Sequence, residues 1–111
     1  MKYILALVLF MLSFNSLAAN PVVGKIRILH TNTSSSSNPQ AVEYTEIQLT
    51  GVSFEAPCSW LHLKPEDKQA LSVLLTAQAQ DRDVKVYYRP DVPAPWGAGS
   101  CAIGAVVLFE N

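Results

Sequence analysis

The sequence predicts a mostly β fold with one helix, its five short strands closing into a small barrel. Short runs of apolar and polar residues alternate with period two, and a single stretch switches to helical spacing. Gly, Pro, Asn and Ser clusters punctuate the boundaries between them. The chain has 111 residues, of which 50% are hydrophobic and 15% charged, enough for one domain.

The elements follow in order. Met1-Lys2 is a short positive start, Ile4–Leu12 an uninterrupted apolar run, and Ser16 and Ala18 put small side chains where a signal peptidase needs them. Residues 1–18 are therefore expected to be a cleaved signal peptide, with 19–111 a single domain; cleavage after Ala19 is the near alternative. The apolar run is too short for a bilayer core, which takes about 20 helical residues, and no second span follows. Stable membrane insertion is not expected, and the mature chain reads as secreted or periplasmic.

Val22–Asn32 is the first expected strand, with Ile26, Ile28 and His30 on one face and Lys25, Arg27 and Leu29 on the other. The polar segment Thr31–Pro39 is a loop. A second strand at Val42–Thr50 alternates Thr45, Ile47 and Leu49 against Glu46, Gln48 and Thr50, and Gly51 ends it. A third, Cys58–Leu63, sets Leu61 and Leu63 opposite Trp60 and His62. Pro65 suits a first helical position, Glu66 and Asp67 suit the positive end of the dipole, and Ala70, Leu71, Leu74, Leu75 and Ala77 keep helical spacing to about Gln80. Asp81-Arg82-Asp83 turns the chain into a fourth strand, Val84–Arg89. Pro90 has no N–H for a ladder and is expected to end it, leaving 90–101 as a loop. The last strand, Ala102–Phe109, is apolar on both alternations, as expected for burial on both faces or for one face at a subunit interface.

Strand, strand, strand, helix, strand, strand (βββαββ) is the order of the OB-fold barrel. Cys58 and Cys101 allow one intramolecular pairing, and export favours the oxidised state. Their bridge closes about 44 residues, worth roughly 4 kcal/mol in chain entropy. A metal site would have to combine Cys58, Cys101, His30 and His62, which lack C-x-x-C or H-x-x-x-H spacing, so no metal is expected.

Charge narrows the function. The formal net charge is −1, and loss of Lys2 with the leader makes the domain more acidic. A nucleic-acid partner, which an OB-type groove would otherwise suggest, is not expected from an exported acidic chain. No phosphate loop, cofactor motif or G-x-S-x-G context occurs, and Glu43/Glu46 and Glu66-Asp67 read as solvated-face and helix-start charges; an enzyme is not expected.

Three stretches carry a family resemblance: Gly24-Lys25-Ile26-Arg27-Ile28-Leu29-His30-Thr31, the helix Leu71–Ala79, and Val84-Lys85-Val86-Tyr87-Tyr88-Arg89-Pro90-Asp91-Val92. They resemble the B subunit of subtilase cytotoxin and its small secreted relatives, and Trp96 has a counterpart in the family's late loop. The resemblance implies an OB-fold B subunit that assembles as a ring pentamer, binds sialylated cell-surface glycans and accompanies a catalytic A-type chain. It also implies that Tyr88 contacts sugar. Val23 stands where the family has a sugar-contacting serine, which removes a hydroxyl and leaves the identity of the glycan open.

The candidate ligand contacts are Tyr88, Trp96, Thr31 and Ser34. Tyr87 and Tyr88 alternate, so one of them faces outward. Trp96, set among prolines and glycines, is either a plug over the barrel mouth or an exposed anchor. Thr31 and the Ser34–Ser37 run offer hydroxyls beside the first strand, although a plain loop also explains the serines. Asn32-Thr33-Ser34 is formally a glycosylation acceptor. The leading expectation is a glycan-binding homo-oligomer without cofactor. The alternative is a protein-interaction or inhibitor module anchored by Trp96.

Overall fold

The computed structural model describes residues 21–109, so the leader expected at 1–18 lies outside the described residues. Strands β1 (Val22–Gly24), β2 (Ile26–Thr31), β3 (Thr45–Leu49) and β4 (Trp60–Leu63) precede helix α1 (Lys68–Ala79). Strands β5 (Val84–Ala94) and β6 (Gly97–Leu108) follow it. All six strands form one sheet in the order β1-β5-β6-β4-β3-β2, with β4 and β6 parallel and the other pairs antiparallel. The outermost strands, β1 and β2, are consecutive in the chain and separated only by Lys25. The sheet therefore curls round until its ends approach each other at that residue.

The fold is mostly β with one helix, as expected, but it has six strands rather than five because Val22–Asn32 divides at Lys25. Packing explains the break. A Cβ on Gly24 would lie 3.1 Å from Val52 Cγ2 and 3.3 Å from the Thr50 carbonyl, so a side chain there is crowded. The Thr50 N–H donates to the Lys25 carbonyl at 2.8 Å, pinning the bend. Before the bend the chain pairs with β5 (Val22↔Val86); after it, with β3 (Thr31↔Thr45).

Three irregularities correct the expected faces. The β2–β3 register shifts between Ile26 and Ile28, so Ile26 and Leu29 pack against the core, not Ile26 with Ile28 and His30. Strand β5 does not stop at Arg89. Its register jumps from Arg89↔Ala102 to Pro93↔Cys101, so Pro90 falls in a bulge where no ladder N–H is required. The expected 90–101 loop is then mostly strand, closed by the Pro95-Trp96 turn between paired Ala94 and Gly97. A third shift, from Tyr87↔Ala105 to Tyr88↔Ile103, brings Ile103 onto the core side with Val106 and Leu108. The last strand is thus not buried on both faces: Val107 is 41% and Phe109 39% exposed.

Inside the curl, Ile47, Leu61, Leu74, Val84 and Val86 are fully buried. Each large aliphatic side chain removed from water contributes roughly 1.5–3 kcal/mol. Helix α1 supplies Leu74 and Ala77 to this core. It starts at Lys68, later than Pro65, because Asp67 directs its carboxylate back to accept from the Lys64 N–H at 3.2 Å. Cys58 and Cys101 are joined by a disulfide with 5.6 Å between their Cα atoms. The bridge holds the approach to β4 against β6, the two strands that pair in parallel. Among the described residues no helix is long and apolar enough to cross a membrane.

Candidate functional site

Two of the four candidate contacts come together. Thr31, at the end of β2, and Ser34, in the loop after it, line a cleft of about 530 Å³ between that loop and the start of α1. Its polar lining also includes Thr33, Glu43 and Lys68, with Pro65 and Leu71 as apolar surface. Local chemistry shapes the wall. Ser36 N–H bonds to the Thr33 carbonyl at 3.1 Å, and the Asn38 side chain caps a 3-10 turn at Pro39–Ala41 by accepting from Gln40 N–H. The Asn32 N–H then donates to the Tyr44 carbonyl at 2.9 Å, drawing the two ends of the loop together. Asn32 Nδ2 is directed at the same carbonyl, 3.4 Å away, so the half-buried amide of the glycosylation tripeptide faces the protein.

At the back of this cleft the Thr31 and Thr45 hydroxyls are joined by a hydrogen bond of 3.1 Å in which either can donate. Glu43 takes a left-handed backbone conformation, φ 61°. Such a conformation is uncommon for a residue with a side chain. Glu43 reads in the sequence as a solvated-face charge, and nothing there singles out Lys68. One sits in a loop and the other opens a helix, and only the fold places them in one cleft.

Tyr88 and Trp96 lie elsewhere. Tyr88 is 5% exposed, its ring edge-to-face with Phe54 at 5.7 Å, and its hydroxyl accepts from the Glu55 N–H at 2.8 Å. The outward member of the pair is Tyr87, 40% exposed, with the Lys85 ammonium 5.2 Å from its ring centre. Trp96 is half-buried. It meets Tyr44 edge-on at 4.9 Å and His62 at 5.8 Å.

These two rings help to cover His62, which is 2% exposed although β4 directs it away from the core. Its Nδ1 is 3.1 Å from the Ser100 hydroxyl. Burial lowers the His62 pKa, the Lys64 charge adds to this, and Asp67 opposes it. Opposite His62 on β3, Glu46 is held above its ordinary value by burial, partly offset by the His30 charge and the Ser100 hydroxyl. Serine, histidine and glutamate therefore adjoin one another, but Ser100 is only 1% exposed and presents no accessible nucleophile. A cleft of about 370 Å³ beside His62 is lined by Lys64, Glu66, Asp67 and Arg89. Arg89 and Asp91 form a two-pronged pair at 3.0 and 3.1 Å, which raises the guanidinium pKa and lowers that of the carboxyl. Among the described residues no group of three His, Cys, Asp or Glu side chains could hold a metal ion.

Comparison with protein-family models, with curated proteins and with solved structures returns no match.

Proposed function

We propose that this protein is an exported carbohydrate-binding module on an OB-type barrel, and that Thr31, Thr33, Ser34, Glu43 and Lys68 form its sugar cleft. The cleft carries the reading. About 530 Å³ falls within the range of small-molecule sites, and hydroxyl-bearing Thr31, Thr33 and Ser34 line it with Glu43 and Lys68 beside apolar Pro65 and Leu71. Sugars present hydroxyls of both hydrogen-bonding senses above an apolar ring face, and this lining is complementary to both. Lys68 would also favour a glycan bearing a carboxylate.

The OB-type assignment is supported by connectivity. One bent N-terminal segment reaches both β5 and β3, and the strand before the helix runs parallel to the last strand. Export is supported by the disulfide together with the leader-like start of the sequence. Self-association as a ring, with an A-type chain as a further partner, follows from the resemblance. Val23 on β1, Tyr87 on β5, Val107 on β6 and Phe109 just beyond it are exposed and suit such an assembly. The alternative of a Trp96-anchored interaction module has less support, because that ring already packs on Tyr44 and His62.

The test is a glycan array read with the mature protein, its Lys68→Ala variant and its Ser34→Ala variant, with native mass spectrometry for assembly state. Glycan binding that both substitutions weaken is the expected result. Binding indifferent to both, or none from a folded oligomer, would remove the cleft from consideration.

A further inference from the structure

We propose that a second cleft, centred on Arg27, is an oxyanion site that takes the sulfate or carboxylate group of an acidic ligand. This inference is independent of the sugar cleft. The clefts differ in charge. That of Thr31 and Ser34 balances Lys68 with Glu43, and that beside His62 sets Lys64 and Arg89 against Glu66 and Asp67. The cleft beside Arg27, about 270 Å³, contains one cation and no carboxylate. The ion pairs among the described residues are Lys25–Asp81 and Arg89–Asp91, so Arg27 has no ion-pair partner among them.

Arg27 sits on the exposed side of β2, opposite core-facing Ile26, at the residue where the β2–β3 register shifts. There Arg27 lines the cleft together with Gln48 of β3, Ser53 and Ser59, and Leu49, Val52, Phe54 and Cys58 complete the wall. Each polar member can donate to an oxygen, and arginine offers a planar fork suited to carboxylate or sulfate.

The far wall is held before any ligand arrives. Ser59 N–H donates to the Gly99 carbonyl at 2.8 Å, Cys58 is bridged to Cys101, and Gln48 Nε2 donates to the Ser59 carbonyl at 3.1 Å. A site fixed in this way loses little freedom on binding. Its volume suits one charged group rather than a whole drug-sized molecule.

The experiment is an NMR titration of the ¹⁵N-labelled mature protein with sodium sulfate, sodium glucuronate and a sulfated disaccharide, using sodium chloride at matched ionic strength as reference. Saturable shifts confined to Arg27, Gln48, Ser53 and Ser59 are expected with sulfate or glucuronate. Arg27→Ala should abolish them, and Arg27→Lys should weaken them at least about tenfold, because an ammonium cannot reproduce the two parallel bonds. Tighter binding of the disaccharide than of free sulfate would assign the group to a sugar, and equal or weaker binding would assign it to a free anion. Lys68→Ala should leave these shifts intact, which separates this site from the sugar cleft. Chloride producing the same shifts, or Arg27→Ala retaining them in a folded spectrum, overturns the proposal.

Discussion

Replacing Tyr88 by Phe separates two roles that one residue could have. In the structure its hydroxyl accepts from the Glu55 N–H at 2.8 Å, and its ring meets Phe54 within the core. Phenylalanine keeps the ring and removes the acceptor. A buried donor left unpaired costs about 1–3 kcal/mol, and since this one is only partly buried, water should hold the loss near ~1 kcal/mol. For a domain of this size that corresponds to a Tm lower by roughly 4–8 °C. Tyr88→Ala also removes the ring and is expected to cost about 3–5 kcal/mol, a large part of the stability of a small domain. The assay is urea and thermal denaturation of each variant, with glycan binding measured below the transition. Binding per folded molecule should be unchanged in Tyr88→Phe. Tyr88→Phe that is fully stable yet has lost glycan binding would refute this reasoning and return Tyr88 to the ligand surface.

Other perturbations test separate parts of the structure. Reducing the Cys58–Cys101 bridge, whose ends are 43 positions apart, should destabilise the domain by roughly 4 kcal/mol, read as a lower urea midpoint in reductant. An unchanged midpoint would show that the bridge contributes nothing. Because burial lowers the His62 pKa, the unfolded chain gains a proton as pH falls through 6.5 while the native protein still resists it. Stability is then full above pH 6.5 and lost progressively as pH falls through the lowered native value; His62→Gln should flatten that dependence. Glu46 has the opposite sign. Its raised pKa contributes stability below 4.5 that is lost as pH rises through the native value, so Glu46→Gln should raise the neutral-pH midpoint. Gly24→Ala brings a methyl group to 3.1 Å from Val52 Cγ2, and overpacking of this kind costs about 1–3 kcal/mol, measurable in the same denaturation series.

Much of the fold was legible because alternation is a local property. Thr45, Ile47 and Leu49 do face inward, as do Leu61 and Leu63, and the helix appears where the spacing changes period. Proline at 90 was misleading. Its chemistry forbids a ladder bond, but the bulge beyond Arg89 asks for none. The site was legible only in part. Thr31 and Ser34 are near each other in sequence and share a cleft, whereas Lys68 joins them across more than thirty intervening positions.

The sequence by itself determined the alternating strands, the single helix and the only possible intramolecular cysteine pairing. Tertiary structure decided the faces. A one-residue shift in pairing sends every following side chain to the other side of a sheet, and where it falls depends on how two strands fit each other, which one strand's alternation does not show. The bulges at Arg27, after Arg89 and at Gly104 have this effect. Together with the curl that brings β1 and β2 to the two ends of one sheet, they determine that Leu29 and Ile103 are packed inside and Val107 is outside.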